Sequence, residues 1–540
     1  MPDDLTQMPT QMIVTAQPEA SEAGARVLMQ GGNAVDAAMA AALVQGVVDP
    51  QMCGIAGFGS CQIYDPVSGA HTCIDFHGKT PLAATPDMWT DRLAGETRDG
   101  FGFILQDNVN DLGYGSVTTP GSLKAYHEAI TEFGSWTWAD VVAPAIAQAE
   151  RGFAVRPHVY HWWTHGADQG RVQVEDRLAF SDTGRQIYFR PDGRVKKIGE
   201  HVANPDLAKT LRLIAEQGPD VFYTGEIAAK IDADFRANGG LMTGDDLAAY
   251  RTTRTDPLRS NYRGVDIATN HPPGGGIMLV EMLNILEQFD LAGIGHNSTE
   301  YLRIVASAMQ AATADKDAHV GDPAFVDIPP HLTDKAYAAE TAKRIHAGER
   351  LRVTRLGQPE PRDTTHVAVV DKDGRCVTMT HSLGMPSGVI TDGLGFMFNG
   401  CMAVFDPRPG RAGSIAPGKA RFSSVCPTIA FRDGRPCIVL GAPGGTQIAM
   451  GVLQVLLNLL DFDMSACEAV SAPRFSATSD AIDIMNRIPG YVTEPLEGQG
   501  YEVIRSAMSF GIAAVHAIRI DGDRLTGWAD PGHDGVALGV

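Results

Sequence analysis

Two alternating apolar runs, His366 to Val370 and Cys376 to Ser382, flank Asp371-Lys372-Asp373-Gly374, and this segment constrains the chain more than any other. Asp and Gly tolerate the positive φ of tight turns, so the runs read as one antiparallel hairpin. With the mirror point at residue 373, Thr364 faces Ser382; a half-residue shift would place it opposite His381. Two hydroxyl residues therefore meet at the open end of the hairpin.

The pattern changes at this point. Residues 21–48 have helical periodicity, interrupted by Gly31-Gly32-Asn33, which can end one helix and begin the next. Residues 120–350 read as mainly helical, with breaks at Thr119-Pro120-Gly121-Ser122 and Pro272-Pro273-Gly274-Gly275-Gly276 and two long helices within 277–320. After Arg362 alternating strands take over, with further runs at Thr428 to Phe431 and Cys437 to Leu440, and helices return at 446–461 and 464–471. There is no internal repeat, so one composite α/β body is expected, helix-rich first and strand-rich later.

Composition removes several classes of function. The chain has 540 residues and a net charge of -20, a field that repels phosphate backbones and anionic lipid, so neither nucleic acid nor membrane is an expected partner. Its eight cysteines include no C-x-x-C pair and no zinc-ligand spacing, and no cofactor motif is present. Gly54-Ile55-Ala56-Gly57-Phe58-Gly59 precedes a strand instead of joining a strand to a helix, which argues against a dinucleotide loop. The first twenty residues lack a basic flank and an apolar run, which sets a cytoplasmic location as the expectation. No stretch approaches the ~20 apolar residues that cross a bilayer.

The run Asp363-Thr364-Thr365-His366-Val367-Ala368-Val369-Val370-Asp371 resembles the self-processing site of the gamma-glutamyltransferase family of N-terminal-nucleophile (Ntn) hydrolases. The resemblance extends over Gly31 to Ala38, Thr119 to Ser122, Pro272 to Gly276, Gly418-Lys419, Ser423-Ser424, Pro427 to Ile429, Gly441 to Gly445 and Ala472 to Phe475. It implies an α+β fold, a four-layer αββα sandwich, built from a large chain 1–363 and a small chain 364–540 after cleavage between Asp363 and Thr364. A dimer of such processed pairs would be compatible with it. Thr364 is the implied nucleophile and its freed α-amine the base, because a neutral hydroxyl needs a neighbouring group to take its proton. The resemblance further assigns Gly444 and Gly445 as oxyanion donors, Ser423 and Ser424 as substrate-carboxylate hydroxyls, and Ser382 as a stand-in for a threonine that steadies the nucleophile. His366 and His381 are expected to orient strand ends.

The pattern departs from the glutathione-cleaving members at the substrate anchors. Their carboxylate-binding arginine follows an Asp-Phe pair, where this chain has His77; their amine-binding acid follows an Asn-rich segment, where Asn399 leads to Val404; and an asparagine is replaced by Gly384. A charge-assisted hydrogen bond contributes roughly 1.5–3 kcal/mol, so losing two weakens glutamyl recognition by roughly two to four powers of ten. His77, Asn399 and Arg421, with Lys79, are the candidate substrate-binding residues. The segment Phe405 to Gly418 is also short for a lid over the pocket, which favours hydrolysis over transfer. The expectation is a threonine amidohydrolase for small, carboxylated amides, like an oxamate amidohydrolase or an acylase. A gamma-glutamyltransferase with rearranged anchors is the second reading, and an unprocessed metabolite-binding relative the third.

Overall fold

The computed structural model describes residues 9–97, 100, 102–165, 171–353 and 364–540. Two large sheets carry its core. In chain order their strands are β1 (Met12–Thr15), β2 (Phe58–Asp65), β3 (Ala70–Asp75), β4 (Thr253–Thr255), β5 (Leu258–Tyr262) and β6 (Val265–Thr269). After residue 364 come β7 (Thr365–Val370), β8 (Cys376–Ser382), β9 (Thr428–Arg432), β10 (Arg435–Gly441), β11 (His516–Asp521), β12 (Arg524–Trp528) and β13 (Val536–Gly539). The seven-stranded sheet has the order β13-β1-β7-β8-β2-β3-β4, and the six-stranded sheet the order β12-β11-β10-β9-β6-β5. Both sheets mix strands from before and after residue 364.

Side-chain alternation sets the layers. Successive residues of a strand point to opposite faces, so Val14, Ala368 and Val370 meet Ile429, Val439 and Ile518 between the sheets. Their neighbours Ile13, Val367 and Val369 face outward and pack on helices α1 (Pro18–Met29) and α2 (Ala34–Val48). Ile438 and Leu440 face the opposite outer layer, formed by α3 (Gly276–Leu286), α4 (Thr299–His319) and α5 (Ile448–Leu460). The result is the four-layer αββα sandwich that the resemblance implied. Because both sheets are covered on both faces, β7 and β8 are buried along their whole length.

Several local expectations hold. Asn33 caps α2, accepting from the Val35 and Asp36 N–H groups, and Asp36 returns a bond to the Asn33 N–H. The six alanines Ala34, Ala37, Ala38, Ala40, Ala41 and Ala42 are buried, which suits α2 to close packing on α1 and on the β7–β8 hairpin. The region 120–350 is not uniformly helical, however. Leu258–Tyr262 and Val265–Thr269 form a hairpin about Arg263-Gly264, both at positive φ, and pair into the second sheet. The glycine-rich segment at 54–59 is a close-approach site. A Cβ on Gly57 would lie 2.4 Å from the Ser382 carbonyl oxygen, and one on Gly59 would lie 2.3 Å from that of Thr380.

Candidate active site

The hairpin turn closes through Gly374 N–H on the Asp371 carbonyl, with the Asp371 carboxylate accepting from the Asp373 and Arg375 N–H groups. This fixes the register. Thr365 pairs with His381, which places Thr364 against Ser382, and their hydroxyl oxygens are 3.2 Å apart. Ser382 Oγ also accepts from the Gly384 N–H at 2.8 Å. Asp363 lies outside the described residues.

A buried polar ladder anchors this strand end. Gln45, in the apolar second half of α2, donates to Thr365 Oγ1 at 2.8 Å and to Gln17 Oε1 at 2.6 Å. Its carbonyl oxygen is 2.8 Å from His381 Nε2, and the Tyr126 hydroxyl is 2.7 Å from His381 Nδ1. With the ring donating to Gln45 and accepting from Tyr126, His381 is held as one neutral tautomer, and burial pushes it down to about 3. His366 lies between Thr380 and Thr378, 2.9 and 3.3 Å away, and burial, helped by His516 and His381, holds it well below the ordinary histidine range. Both histidines orient strands and neither lines the cavity that reaches Thr364. The base nearest in sequence to the Thr364 hydroxyl is the amine that cleavage would free.

That cavity has a volume of about 300 Å³. Thr364, Ser382, Gly384, Arg421, Ser423, Ser424 and Gly445 all line it, together with Phe58 and Val404. Gly444 and Gly445 begin the helical turn that leads into α5, where backbone N–H groups have no intrahelical acceptor. Gly445 lines the Thr364 cavity, whereas Gly444 borders a separate cavity.

Three sequence-derived anchors are placed differently from expectation. Asn399 is fully buried and does not line the cavity: its amide bonds the Ala56 and Thr118 carbonyls and accepts from Thr118, bracing the loop behind the site. His77 is also buried behind the wall, with Nδ1 2.6 Å from Asp75 Oδ2 and Nε2 2.5 Å from Ser423 Oγ. It reaches the cavity only through Ser423. Lys79 donates to the Arg251 carbonyl and borders a different cavity.

Arg421, by contrast, is 4% exposed and lines the cavity. Its guanidinium carbon lies 4.6 Å from the Phe58 ring centre, its Nε donates to the Phe422 carbonyl and its Nη1 lies 3.5 Å from Cys401 Sγ. Among the described residues no carboxylate pairs with it. A Cβ at Gly384, whose φ is +73°, would lie 2.9 Å from Arg421 Nη1, so the guanidinium sits in space that a side chain at 384 would need. The outer wall comes partly from the segment expected to form a short lid: Arg408 bonds Asp406 and Glu96 and packs on Phe103. The Asp-Pro-Arg-Pro-Gly turn at 406–410 was its visible signal.

The family model for gamma-glutamyltranspeptidase matches residues 20–540. An acylase, the ACY 1 proenzyme of Pseudomonas sp. strain SE83, is 38% identical over 98% of this chain and 93% of that protein. The glutathione hydrolase proenzyme of Escherichia coli K12 is 33% identical over 96% of this chain and 90% of that protein. The crystal structure of a cephalosporin acylase from Bacillus halodurans superposes with a TM-score of 0.87 at 27% identity, covering 98% of this chain and 96% of that one.

Proposed function

Because the chain belongs to the gamma-glutamyltranspeptidase family, and is thus an enzyme of amide bonds made as the precursor of a large and a small chain, we propose that it hydrolyses amides of small carboxylated acids. On this reading Thr364 is both the cleavage point and the nucleophile. Its hydroxyl attacks the Asp363 carbonyl, the chain shifts from nitrogen to oxygen, and water releases the new N-terminus at Thr364. In turnover the freed α-amine takes the hydroxyl proton as the oxygen adds to the substrate amide carbon. The Gly445 N–H, at the glycine of the pair that lines the cavity, stabilises the oxyanion. The C–N bond breaks, the leaving amine departs with the proton, and water hydrolyses the threonyl ester.

One observation carries the substrate class. Arg421 places a buried guanidinium in the wall of the Thr364 cavity without a carboxylate partner among the described residues, and a buried cation of this kind calls for an anion from the ligand. The cavity, at about 300 Å³, is larger than oxamate needs, and a 38% identical relative is named an acylase. The test is hydrolysis of glutaryl-p-nitroanilide against butyryl-p-nitroanilide. A strong preference for the glutaryl compound is expected; equal rates, or no cleavage of either by the processed protein, contradict the proposal.

A further inference from the structure

The hairpin rung next to the reactive one is clamped from α2. Thr364 and Ser382 line the cavity, whereas Thr365 and His381, the next pair across β7 and β8, point to the opposite face because strand side chains alternate. Gln45 bonds both members of that pair, donating to Thr365 Oγ1 and accepting from His381 Nε2, each at 2.8 Å. The bonds continue inward. Gln45 and the Thr365 hydroxyl both donate to Gln17 Oε1, at 2.6 and 3.1 Å, and Gln17 Nε2 donates to Asp49 Oδ2 at 2.6 Å. From the other side Gln51 donates to Asp49 Oδ1, and the Trp163 indole N–H donates to Gln51 Oε1 at 2.9 Å. Every side chain in this series is at most 1% exposed.

Its two ends fix the direction of each amide, since a carboxylate only accepts and an indole N–H only donates. Burial pushes the Asp49 carboxyl up to about 6, with the Arg156 charge opposing, so at about pH 8 it is ionised. Gln17 and Gln51 therefore turn their NH2 groups to Asp49, Gln17 shows its oxygen to Gln45 and Thr365, and Gln45 shows its oxygen to His381. Asp49 itself does not line the Thr364 cavity. We propose that Asp49 is a positioning residue for the nucleophile, acting through Gln17 and Gln45 to clamp the Thr365–His381 pair and so hold Thr364 against Ser382. The inference rests on the amide-hydrolase reading and adds a residue to it. Asp49→Asn puts an NH2 group where two others already point. Gln51 cannot turn over, because the Trp163 N–H would then meet a donor. The conflict passes to Gln17 and Gln45, and a reversed Gln45 would set its oxygen against the His366 carbonyl, which now accepts from it at 3.2 Å. Arg156 keeps Glu19 and Asp534 as partners, so the substitution leaves no cation unpaired.

The experiment compares wild type, Asp49→Asn, Gln17→Leu and the double variant, each as the processed two-chain protein, on glutaryl-p-nitroanilide at about pH 8. Each single substitution should lower kcat about tenfold or more, the rate equivalent of one charge-assisted hydrogen bond, with KM unchanged within about twofold. In the Gln17→Leu background the series is already cut, and Asp49→Asn should lower kcat no further. A merely structural role of Asp49 would lower kcat again in that background; this result, or an unchanged kcat in Asp49→Asn, overturns the inference. Where circular dichroism shows Asp49→Asn unfolded, Gln17→Leu decides alone, and its unchanged kcat overturns the inference equally. If processed wild type cleaves neither glutaryl- nor butyryl-p-nitroanilide, the amide-hydrolase reading fails. Self-cleavage of the precursor then decides the inference by itself: Asp49→Asn should slow it about tenfold or more, and an unchanged rate overturns the positioning role.

Discussion

Replacing Arg421 by Met removes the proposed anion anchor while keeping an unbranched side chain over Phe58. A guanidinium has five N–H donors, and here Nε is engaged by the Phe422 carbonyl and Nη1 by Cys401 Sγ, which leaves enough for a bidentate carboxylate. Charge-assisted bonds contribute roughly 1.5–3 kcal/mol each. Two of them at the low end give about 3 kcal/mol, or roughly a 150-fold rise in KM for glutaryl-p-nitroanilide. The carboxylate is bound equally in ground and transition states, so kcat should change little. The lost contact with Phe58 contributes about 0.5–1 kcal/mol, too small to unfold the chain. Arg421→Lys should fall between wild type and Arg421→Met, because it keeps the charge and loses the fork. The assay is steady-state release of nitroaniline, with butyryl-p-nitroanilide as the uncharged control. If Arg421→Met weakens both substrates equally, or leaves KM for the glutaryl compound unchanged, Arg421 does not bind the carboxylate.

Gly384→Asn should displace the same guanidinium, since its Cβ would fall 2.9 Å from Arg421 Nη1 at a backbone φ of +73°; KM for glutaryl-p-nitroanilide should rise at least tenfold, and an unchanged KM would contradict the packing. Thr364→Ala should remain a single, inactive chain on a denaturing gel, whereas Thr364→Ser should cleave slowly; an active Thr364→Ala protein would remove the nucleophile assignment. His381, held at about 3, and His366, held well below its ordinary range, should contribute no limb to the pH profile between about pH 5 and 7. Activity should instead rise as the Thr364 amine loses its proton, near its reference value of about 7.7–8. A kcat/KM profile with a histidine limb near pH 6.5 would count against this. The same two histidines are neutral in the fold and take protons when unfolded. Stability should therefore decline as pH falls from about 6.5 toward 3, which denaturant titrations at several pH values can follow.

Features set by local chemistry were legible in the sequence. The Asp-Lys-Asp-Gly turn fixed the register that puts Thr364 3.2 Å from Ser382, and Gly31-Gly32-Asn33 marked the boundary before α2. The β5–β6 hairpin has only a short local signal, a two-residue Arg263-Gly264 turn between brief alternating runs, and helical segments on both sides obscure it. The roles of His77 and Asn399 were not legible, because their partners are remote: Ser423 is 346 residues from His77, and Thr118 is 281 from Asn399. Motif position predicted that both would touch substrate, and the fold instead buries them behind residues that do line the cavity. Arg421 was identified as a candidate from its nearness to Ser423. What makes it a candidate anchor is the space left by Gly384, a tertiary fact.

The most direct test of the account is the intact mass of the purified protein under denaturing conditions. The account predicts two chains, residues 1–363 and 364–540, with Thr364 as the new N-terminus. A single stable chain of 540 residues, or a break elsewhere, would contradict it.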